Sequence, residues 1–157
     1  MDRTKILFIE DDKNWLRIFQ INVGEHTKNL FDYVCVDTLA DAFSAIEKNK
    51  FGMILLDLML PDSHATNTIE IMTEKVKNIP IIIITTLDDE KVMQDAFLLG
   101  VEDYLVKDKY NAEIFIHASR QAIKRFLAKE TINEILAYLQ EIDNNLEQWQ
   151  KEFADKI

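Results

Sequence analysis

A single cysteine among 157 residues leaves no internal disulfide to form, and three glycines and two prolines leave few places for flexible linkers. That cysteine, Cys35, lies within an apolar run and reads as a small core residue rather than a reactive thiol. No apolar run approaches the roughly 20 residues of a bilayer span, and the N-terminus lacks an export pattern. Membrane association is therefore not expected, and the cytoplasm is the default address. Positive charge is scarce as well: 18 Lys and Arg stand against 28 Asp and Glu, a formal charge of -10. Nucleic acid is bound chiefly by Lys and Arg on its phosphates, so it is not the expected partner. The first strand-to-helix turn has no glycine-rich loop, which disfavours dinucleotide and nucleoside triphosphate enzymes. The three histidines, His26, His64 and His117, have no ligand partners at useful spacing and read as structural or exposed.

What the chain does have is the makeup of a folded globular protein, with 48% hydrophobic and 29% charged residues, at a length suited to one domain and an appendage. Apolar runs of strand length alternate with stretches of helical period. Lys5–Ile9, Met53–Leu56 and Ile81–Ile84 are almost wholly apolar, as parallel strands covered on both faces must be. Tyr33–Val36 and Asp103–Val106 are more mixed and belong toward the sheet edges. Helical patterns occupy Lys13–Val23, Ala40–Asn49, Thr68–Val76, Asp89–Leu99 and the chain from Ala112 onward, with Thr38, Asn67, Asp88 and Asn111 as expected N-caps and Gly100 as a C-terminal stop. The expected fold is a flavodoxin-like, doubly wound α/β domain whose five parallel strands run in the order 2-1-3-4-5, followed by a helical tail.

On that frame Glu10 and Asp11 follow the first strand, Asp57 ends the third, Thr85 ends the fourth and Lys107 follows the fifth. All stand at carboxyl ends, the edge where open α/β sheets bind ligands. With strands one and three adjacent, the three carboxylates converge, and such a cluster must hold protons or attract a cation. Hard oxygen donors of this kind suit magnesium, which keeps several waters and leaves room for a phosphoryl oxygen. A carboxylate beside magnesium is a phosphoryl acceptor.

The motifs Ile9-Glu10-Asp11-Asp12, Leu55-Leu56-Asp57-Leu58-Met59-Leu60-Pro61, Ile84-Thr85-Thr86 and Tyr104-Leu105-Val106-Lys107, in this order, resemble those of two-component receiver domains over about Thr4 to Leu127. The resemblance implies that Asp57 accepts a phosphoryl group from a histidine kinase or histidine phosphotransfer protein. It implies that Asp11, Asp57 and the Met59 carbonyl ligate magnesium, that Glu10 acts through water, and that Lys107 and Thr85 hold phosphoryl oxygens. Tyr104 would be the switch aromatic, moving inward as Thr85 is drawn to the phosphoryl group. Such a domain is not an enzyme on other substrates; it catalyses its own phosphorylation and dephosphorylation. Met59 and Leu87 take the positions from which polar side chains orient water, so phosphate loss should be slow. The chain departs from the family pattern at Asp108, where Pro is usual, leaving the loop geometry there open, and at Ala65, where Gly is usual and the backbone is expected to avoid positive φ.

Taken singly, each residue has an ordinary reading. Asp11 and Asp12 could simply complement a helix dipole, Thr85 could be a strand-end hydroxyl, Lys107 a solvated charge, and Tyr104 a packing residue. A haloacid-dehalogenase-like phosphotransferase would need a second Asp two positions after the nucleophile, where this chain has Met59. A receiver-like binding module without phosphorylation competes with the phosphoacceptor reading, as does the receiver part of a larger signalling protein.

The sequence divides into a receiver-like part, 1–127, and a helical extension, 128–157. From Ala112 to Ile157 there is neither Gly nor Pro, and Ile132, Ile135, Leu139, Ile142, Leu146, Trp149 and Phe153 recur in alternating steps of three and four. That is a heptad seam, and it points to a homodimer through the C-terminal helix. The competing reading is an amphipathic helix folded back on its domain, broken near Thr131 or at Asp143-Asn144-Asn145, where Thr131/Glu134 and Asn144/Glu147 resemble capping boxes.

Overall fold

The computed structural model describes residues 3–156. Strands β1 (Thr4–Ile9), β2 (Phe31–Val36), β3 (Met53–Leu56), β4 (Ile81–Thr85) and β5 (Asp103–Val106) form a parallel sheet in the order β2-β1-β3-β4-β5, as expected. The helices are α1 (Lys13–Phe19), α2 (Leu39–Lys48), α3 (Thr66–Lys75), α4 (Glu90–Leu99) and α5 (Ala112–Ala154). A short antiparallel ribbon pairs Met59–Leu60 with Ser63–His64.

Two-residue periodicity sorts the strand side chains between two cores. Ile6, Phe8, Met53, Leu55, Ile82 and Ile84 pack with Trp15 and Phe19 of α1 and Phe115 and Ala122 of α5. Leu7, Ile9, Ile54, Leu56, Ile81 and Ile83 pack with Leu39, Ala42, Ile69, Met72 and Ala96 of α2, α3 and α4. Burying each of the larger side chains contributes roughly 1.5–3 kcal/mol, so both faces of the sheet are held firmly. Cys35 departs from its expected place: it sits on edge strand β2, which has one neighbour strand only, and is exposed.

Thr38 caps α2 by accepting from the Asp41 N–H at 3.1 Å, and Asn111 caps α5 by accepting from the Ile114 N–H at 2.9 Å. Gly100 closes α4 in the left-handed region, φ 101°. The other two caps fall elsewhere. Asp89, not Asp88, accepts from the Val92 N–H at 3.0 Å, and α3 starts at Thr66 behind Ala65, while Asn67 donates its side-chain amide to the Ser63 hydroxyl at 3.3 Å. The first helix also outruns its predicted end: after α1 the chain makes a π-helical turn over Gln20–Gly24 and a closing α-turn over Glu25–Thr27.

The described chain falls into two units, the first ending at Ile123 and the second beginning at Lys124. Helix α5 runs without interruption to Ala154, so the breaks that the competing folded-back reading placed near Thr131 or at Asp143-Asn144-Asn145 do not occur. Thr131 donates its hydroxyl to the Leu127 carbonyl within the helix, 2.9 Å, instead of forming a capping box. Seam residues Ile132 through Phe153 are between 38% and 74% exposed. Among the described residues, no helix is long and apolar enough to cross a membrane.

Candidate functional site

Hydrogen bonds of the sheet continue one residue past the strands and fix the backbone of the polar edge. The Glu10 N–H donates to the Val36 carbonyl at 2.9 Å, the Asp57 N–H to Ile9 at 3.0 Å, and the Lys107 N–H to Thr85 at 2.7 Å. Glu10, Asp57 and Lys107 are thus set by rigid elements, and all three are buried. One oxygen from each of Glu10, Asp11 and Asp57 lies within 4.8 Å of the other two, the convergence expected from strand order. Asp11 is exposed, so the cluster has one face toward solvent.

The Lys107 ammonium reaches into this cluster. It forms a short ion pair with Glu10 Oε2 and lies 3.4 Å from Asp57 Oδ2, with all three side chains no more than 5% exposed. Asp57 Oδ1 accepts from the Leu58 N–H at 2.8 Å. Burial pushes the Glu10 carboxyl up to about 6; the Lys107 hydrogen bond opposes that rise and the Asp57 charge adds to it. Net negative charge in a largely dehydrated pocket, offset by one lysine, is an environment that favours a further cation. The donors are all hard oxygens, and their spacing fits a magnesium ion that retains part of its water shell.

The remaining predicted residues line the same edge but are bonded into their own loop. Thr85 is fully buried, and its hydroxyl accepts from the Leu87 N–H at 3.3 Å. Tyr104 is 7% exposed and donates its hydroxyl to the Leu87 carbonyl at 2.6 Å. Burial pushes that hydroxyl up to about 12, with Asp89 and Asp88 adding to the rise, so it stays a donor at neutral pH. In this structure the Tyr104 ring thus already lies inward, tied to the Leu87 segment. Leu87 packs against the α2–α3–α4 core, and Met59 is half exposed, its backbone paired with His64 in the ribbon.

Both departures from the family pattern carry positive φ. Ala65 sits at φ 52°, ψ -136°, contrary to expectation. The cause is the turn that follows the acceptor: the Ala65 N–H donates to the Leu58 carbonyl at 2.7 Å, and its own carbonyl accepts the Thr68 N–H at 3.1 Å as α3 begins. Asp108 adopts φ 68°, and no cis peptide bond occurs among the described residues. An Asp tolerates the left-handed region better than most side chains do, which settles the loop geometry that the sequence left open.

Three contributors give little sign of themselves in the sequence. Trp15 places its ring 4.2 Å from the Lys107 ammonium. Asp62, in the loop after the acceptor strand, accepts from the Leu39 and Ala40 N–H groups at 3.1 and 3.2 Å and so binds that loop to the start of α2. Lys109 pairs with Asp88, linking the loops that follow β5 and β4. Trp15 carries no signal beyond an ordinary apolar helix position; Asp62 stands beside Pro61 in a loop, a hint of turn chemistry only.

Comparison with known proteins agrees with this geometry. Residues 6–119 match the family described as the response regulator receiver domain. The chain is 34% identical over 135 residues to response regulator ArlR of Staphylococcus saprophyticus, covering 83% of this chain and 57% of that protein. It is 30% identical over 115 residues to the transcriptional regulatory protein CusR of Escherichia coli K12, covering 70% and 47%. The chain spans about half the length of the curated relatives it matches. Among solved structures, the signal receiver domain of a LuxO repressor protein from Vibrio parahaemolyticus superimposes with a TM-score of 0.69 at 24% identity, over 83% of this chain and 98% of that one. A two-component response regulator from Clostridium difficile does so with a TM-score of 0.64 at 26% identity, over 78% and 97%.

Proposed function

The chain belongs to the response regulator receiver family, and on that footing we propose that it is a signalling switch that accepts a phosphoryl group on Asp57 from a phosphohistidine donor protein. The observation that carries this reading is the buried Asp57 carboxylate, held beside Lys107 and in reach of Glu10 and Asp11 at one sheet edge. An Asp57 oxygen attacks phosphorus, the bond from phosphorus to the donor breaks, and the donor departs with the electron pair. Lys107, with its charge fixed in a water-poor pocket, stabilises the phosphoryl oxygens as negative charge redistributes. Magnesium, held by Asp11, Asp57 and the Met59 carbonyl, with Glu10 acting through water, would neutralise charge on those same oxygens. Thr85 supplies its hydroxyl once the contact with the Leu87 N–H is given up, and the Leu87 segment and Tyr104 then form the responsive face. The protein's chemistry is confined to itself, and loss of the phosphoryl group is slow because Met59 cannot orient water. The partners are a kinase or phosphotransfer protein acting in the cytoplasm, without nucleic acid or membrane, and a second copy of this chain through the exposed seam of α5.

Acetyl phosphate with magnesium tests the core of this reading. One phosphoryl group per chain should appear in the intact mass, and Asp57→Asn should abolish it. Undiminished labelling of the Asn variant would refute the assignment.

A further inference from the structure

The geometry points to Trp15 as a positioning residue for Lys107, its indole face fixing the ammonium between Glu10 and Asp57. This rests on the phosphoryl-acceptor reading above. The ammonium has three N–H donors. Glu10 Oε2 and Asp57 Oδ2 take two directions, and the Trp15 ring, 4.2 Å away, closes a third, leaving Lys107 only 7% exposed. A cation over an indole face is held electrostatically, most strongly where water is excluded.

The same carboxylate that holds the lysine also places the indole. Glu10 Oε1 accepts from the Asp12 N–H at 3.0 Å, and Asp12 Oδ1 in turn accepts from the Asn14 and Trp15 N–H groups at 2.9 and 3.0 Å as the N-cap of α1. From the other side the ring is fixed by Phe8 in a T-shaped contact at 5.9 Å and by Phe19 at 5.6 Å. The indole is therefore set by backbone and core, while the lysine is a flexible stem that must be told where to stop. Without the ring, the ammonium is free to turn wholly toward Glu10, the closer of its two carboxylates, and away from the acceptor.

The loss expected from removing the ring face is about threefold to thirtyfold in the rate of phosphoryl acceptance, the range of a partly desolvated cation–π contact. The test uses the full chain in a Trp149→Phe background, which leaves Trp15 as the sole indole. Trp15→Leu should slow modification by acetyl phosphate and magnesium by that factor, while Trp15→Phe, which keeps a ring face, should restore much of it. Melting curves verify that each variant folds. Separately, Lys107→Met in the Trp15-containing background should shift the indole emission, because a fixed charge over the ring is removed. If Trp15→Leu accepts phosphoryl as fast as the parent, if the Leu and Phe variants fail equally, or if the emission ignores Lys107→Met, the positioning role is overturned. If the parent itself accepts no phosphoryl group, the acceptor reading fails instead, and an unchanged emission would still refute the contact on its own.

Discussion

Replacing Lys107 by Met removes the positive side chain that pairs with two buried carboxylates. Glu10 and Asp57 are 0% and 4% exposed at their side chains, so solvent screens little of the charge left behind. Breaking such a pair by deleting one partner costs about 3–5 kcal/mol at neutral pH. The deficit should depend on pH in a defined direction. Burial already raises Glu10 from 4.5 to about 6 with the lysine present, and the lysine opposes that rise. In the variant Glu10 therefore holds its proton to higher pH in the folded state than in the unfolded chain. The folded state binds more protons between those values, so the stability that the Glu10 proton contributes is fully present below about 4.5 and is lost as pH rises through the raised value. Chemical denaturation of parent and variant from about pH 4.5 to about pH 8 reads this directly. The gap should be small at the acid end and full at the alkaline end, and magnesium should narrow it by supplying the missing charge. A gap below about 1 kcal/mol at about pH 7.5, or one independent of pH, would refute the electrostatic account.

Three further expectations rest on particular residues. Ala65→Gly removes strain of about 1–3 kcal/mol at φ 52° against an unfolded-state entropy penalty of about 0.4–1 kcal/mol, so it should raise the denaturation midpoint; a lower midpoint would contradict the strain. Met59→Asn places a water-orienting amide at an exposed position beside the acceptor and should speed phosphate release from the phosphorylated chain, with an unchanged decay rate as the opposing result. Leu139→Asp with Leu146→Asp puts charge into the α5 seam and should convert a self-associating protein to a monomer in sedimentation; a parent that is already monomeric at high concentration would rule the seam out as an interface.

Much of this protein can be read from its residues alone, and what escapes reading has physical causes. The run Met53–Leu56 matches its strand residue for residue, because a buried parallel strand allows little but apolar side chains and ends where polar ones begin. Strand order then forces Glu10, Asp11 and Asp57 together. Caps are harder: Asp88 and Asp89 are chemically alike, and only the Lys109 contact with the first shows why the second turns to its helix. Cys35 reads as internal because its neighbours are apolar, a pattern that cannot tell an edge strand from a central one. Trp15 over Lys107 joins the first helix to the end of the last strand, and no local pattern encodes such a meeting.

The positive φ at Asp108 has a consequence for anyone engineering this scaffold by consensus. The family's usual residue at that position is Pro, whose ring holds φ near about -65°, while the chain here turns through 68°. A single Asp108→Pro exchange would set ring geometry against the path between Lys107 and Lys109, displacing the ammonium on one side and the Asp88 contact on the other. At Ala65 the consensus residue suits the backbone it would inherit; at Asp108 it does not. The segment from Lys107 to Asn111 is thus a unit of exchange, to be grafted whole or left alone.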